Sequence, residues 1–319
     1  MNFARNPAIF ALVVVGAGCA LTQKYPDRPI QLIEPFGSGS GVDVVARVVA
    51  PRLADLLSQP VTVENRIGGG GTVAAAFVAK SLPDGYTLLV SSSAQAYSAA
   101  LLTNLPYKPL MDFVPVAPLS SQPYVLVVGK FAGVKTVGEL VALVKAKPGE
   151  LRFGSAGAGT GTHLGAEKFN LETGINAIHV PMTPAQAISE TIVGRITYWL
   201  APISLAAVPI REGKLLALGV SSKSRSGVLP DVPTLAEAGV PGFDFTIWYG
   251  VWAPAHTPPQ VVDKLAREIT RSVGSPDVRA ALAKSGAEQM ILTQEEFAQF
   301  IVTETESASR IIRAARITP

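Results

Sequence analysis

Cysteine is almost missing from this sequence. The single copy, Cys19, leaves no partner for an internal disulfide. A chain of 319 residues can build a core large enough to stand without one. Histidine is nearly as scarce. His163, His179 and His256 are too few and too dispersed for a metal-site spacing, and no metal is expected. Charge is thin: 16 % of residues are charged, and 27 Lys and Arg against 24 Asp and Glu leave a net +3. The cations are scattered and form no basic stripe, which excludes a nucleic-acid partner. Long apolar runs are missing as well. The longest, Ala8–Leu21, falls short of the roughly 20 residues that a membrane-spanning helix needs.

Several catalytic and cofactor signatures are missing too. Neither of the two Gly-rich loops that alternate with Ser and Thr ends in the Gly-Lys-Ser/Thr of a phosphate loop. Gly157, Gly159 and Gly161 give G-x-G-x-G, which breaks the dinucleotide spacing. Ser40 is flanked by Ser38 and Val42 where a hydrolase elbow requires glycines. No cofactor, no catalytic residue and no nucleophile–base pair is legible.

The N-terminus reads as an export signal. Arg5 precedes the apolar run Ala8–Leu21, and Gly18 and Ala20 suit cleavage after Ala20, making 1–20 a leader. The alternative is lipid attachment at Cys19, although Gly16 stands where Leu or Val is usual. Both outcomes place the mature chain in the periplasm, either free or lipid-anchored.

Hydrophobic residues make up 48 % of the chain, enough for two compact lobes. Short β-type runs alternate with helical patterns. Strands are expected at Ile30–Glu34, Val61–Val63, Thr87–Val90, Val125–Val128, Ile178–Val180, Leu216–Val220 and Tyr249–Ala253. Thr136 with Glu139 and Thr293 with Glu296 predict capping boxes, and Thr257-Pro258 and Ser275-Pro276 predict an N-cap followed by Pro. This alternation predicts α/β layers with mainly parallel strands.

Gly-rich stretches fall just after strands, at Gly37–Gly41, Gly68–Gly71 and Gly154–Gly161. In open α/β sheets, ligands bind at the carboxyl ends of strands. A Gly/Ser loop that opens a helix presents backbone N–H groups and the positive end of the helix dipole, which makes an anion site without Lys or Arg. Gly68–Gly71 reads as tight turns only. The other two stretches carry Ser38, Ser40, Ser155, Thr160 and Thr162 and read as a site. Arg66 is assigned to supporting the Gly68–Gly71 turn and Arg195 to an exposed connection, so neither is expected to anchor a ligand. His163 and His179 read as packing or hydrogen-bonding residues. Trp248 and Tyr249 fit either packing or a cleft.

Longer strings carry a family resemblance. They are Tyr25-Pro26-Asp27-Arg28-Pro29-Ile30, Pro35-Phe36-Gly37 running to Val42-Asp43, Val63-Glu64-Asn65-Arg66, Pro83-Asp84-Gly85-Tyr86-Thr87 and Asp112-Phe113-Val114-Pro115-Val116. Gly154-Ser155-Ala156-Gly157 continues to His163-Leu164, Leu229–Phe243 reads LPDVPTLAEAGVPGF, and Trp248-Tyr249-Gly250 leads to Ala253-Pro254. In this order, from Tyr25 to Ile317, they resemble the Bug-type solute receptors of tripartite tricarboxylate transporters.

The resemblance implies a periplasmic binding protein type II fold, with two α/β lobes around a central ligand cleft. The chain would cross between lobes near Pro123–Val125 and Asp244–Trp248. Residues 25–124 and 246–319 then form a discontinuous lobe 1, and 125–245 form lobe 2. It implies a monomeric receptor for a small carboxylate, partnered by transporter membrane subunits. A sensing role and, more remotely, a hydrolase or isomerase on the same fold are the alternatives. The ligand-binding residues it implies are Phe36, Gly37, Ser38, Gly39, Ser40, Ser91 and Ser92 in lobe 1. In lobe 2 they are Ser155, Gly157, Gly159, Thr160, His163, Pro181, Met182, Thr183 and Ala201. The family's Pro-Tyr-Lys-Gly string is missing at Pro181-Met182-Thr183-Pro184, and two acidic family positions are Thr197 and Ala201. An unpaired ligand ammonium would be costly there. Acidic amino acids therefore rank below a plain dicarboxylate or an aromatic carboxylate.

Overall fold

A computed structural model describes residues 25–102 and 104–317. The expected leader over 1–20, with Cys19, lies outside the described residues. Among the described residues, no helix is long and apolar enough to cross a membrane.

The first half-sheet holds β1 (Ile30–Glu34), β2 (Val61–Asn65) and β3 (Thr87–Ser92), all parallel, with α1 (Gly41–Leu57), α2 (Thr72–Ala79) and α3 (Ala94–Leu101) between and after them. The second holds β5 (Arg152–Ser155), β6 (Ile178–Pro181) and β7 (Tyr198–Pro202), also parallel. Around them lie α4 (Val137–Ala146), α5 (Gly161–Thr173), α6 (Pro184–Ile192) and α7 (Ile203–Arg211). Two long strands join the halves: β4 (Phe113–Gly129) and β9 (Thr246–Pro254). The strand order is β2-β1-β3-β9-β4-β7-β5-β6, with β8 (Leu215–Val220) and β10 (Glu288–Gln289) also on β4.

β4 changes partners part-way along. Phe113–Pro123 run antiparallel to β9, and Tyr124–Val128 run antiparallel to β7 and β8. The sheet is therefore mixed, where the βα alternation predicted mainly parallel strands. Periodicity reads the right-handed βα units correctly but cannot see that the connecting strands return in the opposite direction.

Each half-sheet is covered on both faces. Ile30 and Leu32 face α1 and α8 (Pro259–Val273), while Ile33 and Leu89 face α2, α3 and α10 (Gln294–Ala314). In the second half Leu126 and Val128 face one core and Val125 and Val127 the other, following the period-two alternation of a strand. α8, α9 (Pro276–Lys284) and α10 come last in sequence, yet α8 and α10 pack on the first half. The Ser272 hydroxyl donates to the Val49 carbonyl across that packing.

The strands at Arg152–Ser155 and Tyr198–Pro202 are not among those expected from the sequence, because short buried strands ending in Gly-Ser or Ala-Pro carry no alternation. Thr293 and Glu296 form the full capping box. Thr136 caps α4 through Glu139, but the Glu139 carboxylate reaches one residue further back, to the Lys135 N–H. Ser275 is the N-cap of α9, with its hydroxyl turned to the Ser272 carbonyl. α8 starts one residue later than predicted: Pro258 is its N-cap, and Thr257 donates to Pro254. Pro-Pro shifts the start, since Pro259 suits the first helical position equally well.

Where the chain crosses between halves, Ser221 fastens both crossings. Its backbone donates to the Tyr124 carbonyl and its hydroxyl accepts from the Tyr124 N–H at 2.8 Å. The same hydroxyl donates to the Phe245 carbonyl, and the Phe245 N–H donates to the Ser221 carbonyl. Ser221 is fully buried, so removing the hydroxyl strands the buried Tyr124 N–H and leaves the half-buried Phe245 carbonyl one donor short. Ser221→Ala is expected to cost about 1–3 kcal/mol in urea unfolding, while Ser224→Ala, three residues on and exposed, stays within about 0.5 kcal/mol.

Candidate functional site

Two loops at the carboxyl ends of β1 and β5 have the same construction. Each runs Gly-x-Gly-(Ser/Thr)-Gly, as Gly37–Gly41 and Gly157–Gly161, and its last glycine is the first residue of a helix. Gly37 and Gly39 sit at φ +90° and +82°, and Gly157 and Gly159 at +124° and +73°. Those left-handed values explain the glycines, because a side chain there is strained. The internal hydrogen bonds also correspond. Ser40 N–H donates to Gly37 O at 3.1 Å and Thr160 N–H to Gly157 O at 3.3 Å. Gly39 N–H donates to the Asp43 carboxylate at 2.9 Å, and Gly159 N–H to His163 Nδ1 at 3.1 Å.

What these bonds leave unpaired matters most. The N–H groups of Ser38, Gly41 and Val42, and of Ala158, Gly161 and Thr162, have no hydrogen-bond partner among the described residues. They belong to loop tips and first helical turns, where N–H groups have no intrahelical acceptor.

Between the loops lies a cavity of about 490 Å³. No charged side chain lines it. Instead it meets the starts of five helices: Gly41 and Val42 of α1, Ala94 of α3, Gly161 and Thr162 of α5, Pro184 and Ala185 of α6, and Ser204 of α7. Hydroxyls come from Ser38, Ser40, Ser92, Thr160, Thr183, Tyr124 and Tyr249, and apolar surface from Phe36, Ile188, Pro202, Leu205 and Ile247.

The two tyrosines stand on the strands that join the halves, each against the first residue of a helix. A Cβ on Gly41 would lie 2.3 Å from the Tyr249 hydroxyl, and one on Gly161 would lie 2.1 Å from the Tyr124 hydroxyl. Only glycine admits the rings so close. Gln122 donates to the Tyr249 hydroxyl at 2.6 Å, leaving the phenol proton to point elsewhere. The Tyr124 hydroxyl is buried and has no partner. Burial pushes both phenols far above their ordinary range, so both remain proton donors.

Of the residues expected at the site, Phe36, Ser38, Gly39, Ser40, Ser92, Thr160 and Thr183 line the cavity. Gly37, Ser91, Gly157, Gly159, Pro181 and Met182 do not, although the glycines shape the loops that do. Ala201 is fully buried in the core of the second half. Ser155 is also fully buried: its hydroxyl lies 2.6 Å from His179 Nε2 and accepts from the Gly157 N–H at 3.0 Å. Ser40 lines the cavity, but its hydroxyl already donates to Glu34 at 2.8 Å and accepts from the Asp43 N–H. Thr160 donates to the Gly157 carbonyl at 2.7 Å. Except at Ser38, the loop hydroxyls read from sequence as ligand donors already have partners in the protein, in their own loops or on the strands beside them.

His163 is buried beneath the second loop and stacked on His179, with ring centroids 3.6 Å apart. Ser155 and His179 have nucleophile–base spacing, but the buried Ser155 is closed off from the cavity. Among the described residues, no group of three His, Cys, Asp or Glu could hold a metal. Trp248 turns away from the cavity, donating to Glu304 at 3.0 Å and packing on Phe297 and Phe300. Its neighbour Tyr249 faces the cavity, as alternation along a strand requires. Arg66 pairs with Glu64 and lies over Phe77, and the exposed Arg195 pairs with Glu190; neither lines the cavity. Sequence reasoning missed Tyr124, Ile188, Ser204, Leu205 and Ile247. Only Tyr124 and Ile247, inside the expected first and second crossings, had a positional signal.

The chain matches the family described as "Tripartite tricarboxylate transporter family receptor" over residues 45–317. Protein BugT of Bordetella pertussis is 37% identical over 319 residues, spanning 98% of each chain. A solved R. palustris structure with adipate superposes with TM-score 0.85 at 30% identity, covering 92% of this chain and 99% of that one. MatC from Rhodopseudomonas palustris, solved with bound malate, gives 0.81 at 32% identity, covering 90% of this chain and 100% of that one.

The histidine stack has a measurable consequence. Burial, and then the neighbouring His163, lower His179 to about 4 from an ordinary 6.5. The folded state therefore keeps His179 neutral where the unfolded chain protonates it. This contribution is fully present above about pH 6.5 and is lost as pH falls towards 4. Urea unfolding should show a decline across that window, and His179→Gln should flatten it by up to about one proton's slope.

Proposed function

The chain belongs to the tripartite tricarboxylate transporter receptor family, and we propose that it is an exported receptor that captures a small carboxylate in the cleft between its two lobes. One observation carries this reading. The cleft has no charged side chain, yet it gathers five helix starts and several unpaired backbone N–H groups. Dipoles fixed in this way favour an anion, and hydrogen bonds to a charged group are worth roughly 1.5–3 kcal/mol each. The absence of an acidic side chain from the lining leaves a ligand ammonium without a partner. That argues for a plain carboxylic acid over an amino acid. Adipate and malate, found with the two relatives above, belong to the same chemical class.

In this reading lobe 1 is residues 25–124 with 246–319, and lobe 2 is 125–245. The lobes close on the ligand, because loop N–H groups from both are needed to surround it. The protein acts in the periplasm as a monomer and delivers its ligand to transporter membrane subunits without converting it. The Ser155–His179 pair supports this, since the fully buried hydroxyl offers no route for substrate.

Thermal unfolding in the presence of carboxylic acids tests the proposal. A ligand at about 100 times its Kd stabilises the folded state by about 2.7 kcal/mol. Carboxylates should raise the melting temperature in a concentration-dependent way, while the matching primary amides and amines should not. Equal stabilisation by the uncharged amides would sink the anion reading. Conversion of the bound acid, followed by proton NMR over hours, would replace the receptor with an enzyme.

A further inference from the structure

The two loops match in backbone but differ in what lies beneath them. In lobe 1, Glu34 sits at the end of β1, fully buried. Its carboxylate accepts from the N–H groups of Phe36 at 2.7 Å and Gly37 at 2.9 Å, from the Ser40 hydroxyl at 2.8 Å and from Asn65 Nδ2. Successive N–H groups arranged in this way form a concavity that binds anions. Here the anion is the protein's own. Asp43, also buried, takes the Gly39 N–H and a second bond from Asn65. Among the described residues Arg47 is the one cation bonded to this pair, through Asp43 at 2.9 Å.

In lobe 2 the loop register puts Gly154 where Glu34 stands and His163 where Asp43 stands. The N–H groups equivalent to those on Glu34 are taken by neutral hydroxyls, Ala156 by Thr162 and Gly157 by Ser155. His163 Nδ1 accepts the Gly159 N–H, and the carboxylate on its far side, Glu167, lies 3.7 Å from Nε2, away from the loop N–H groups. The start of α5 keeps the unpaired N–H groups of Gly161 and Thr162, and the buried Tyr124 hydroxyl beside Gly161 has no partner. That hydroxyl is an independent sign of a missing acceptor, because a buried donor left unpaired is costly.

We infer that Glu34 fills the lobe 1 anion nest from within, so the cleft takes a ligand with one carboxylate, seated on Gly161, Thr162 and Tyr124, and an uncharged hydrocarbon body. A second ligand carboxylate at α1 would lie beside two buried carboxylates balanced by one arginine, and like charges disfavour that. The body has a matching surface in Ile188, Pro202, Leu205 and Ile247. An alicyclic or aromatic monocarboxylate satisfies both ends; an aliphatic diacid satisfies one. This rests on the carboxylate-receptor reading above and narrows it.

Titration calorimetry with cyclohexanecarboxylate and adipate decides the question. The wild-type protein should bind cyclohexanecarboxylate at least about tenfold more tightly, since adipate loses the hydrogen bonds of one charged end. Glu34→Gln keeps the shape and removes the charge. It should improve adipate about fivefold or more, and leave cyclohexanecarboxylate within about twofold. Tyr124→Phe should weaken cyclohexanecarboxylate about tenfold. Tighter adipate binding by the wild type, or an adipate affinity unmoved in folded Glu34→Gln, overturns this inference and leaves the receptor reading intact. Binding of neither acid at millimolar concentration overturns both. If Glu34→Gln fails to fold by circular dichroism, the wild-type ratio and Tyr124→Phe still decide.

Discussion

An N–H group at the start of a helix has no acceptor in its own helix, and this protein gathers that shortage around one cleft. The first turns of α1 and α5 open directly from strand ends through glycines at positive φ. The chain turns so sharply that no residue is left over to cap every donor. Five of the six residues with unpaired N–H groups, all but Ala158, line a cleft that among the described residues no lysine or arginine lines. Much of the remaining architecture serves to hold those two helix starts opposite each other.

That placement depends on β4 and β9. Because β4 pairs with β9 up to Pro123 and with β7 and β8 beyond it, one strand belongs to both half-sheets. Ser221 fastens the two crossings at a single buried point. The same strands deliver Tyr124 and Tyr249, one to each helix start, so the groups that define the crossing also floor the cleft. Movement of one half against the other would turn about the strands that carry these phenols.

The near-symmetry of the loops makes their difference informative. Equivalent glycines and backbone bonds hold the same geometry, while the loop N–H groups meet the carboxylates of Glu34 and Asp43 in one half and the Ser155 hydroxyl and His163 ring in the other. Geometry is therefore conserved between the lobes and electrostatics is not. A cleft built in this way differs in charge behind its two sides, with no charged side chain among the described residues that line it.

The sequence by itself determined the βα alternation, the two Gly/Ser loops and their role as helix starts, and the lack of cations near them. Each of these is local: a glycine needed for its own φ, a hydroxyl beside it, or a residue type absent from a short window. The sequence read the loop hydroxyls as ligand donors, but Ser40, Ser155 and Thr160 are bonded to Glu34, His179 and Gly157 of the protein itself. Local sequence names a donor without saying which acceptor reaches it first. Only the tertiary structure brought Tyr124 to Gly161 and Tyr249 to Gly41, because strand register across more than one lobe sets those contacts. It alone also placed the Glu34 carboxylate among four donors, one of them from Asn65 on the neighbouring strand. A buried side chain's role depends on what packs over it, and that is fixed by the pairing of strands distant in sequence.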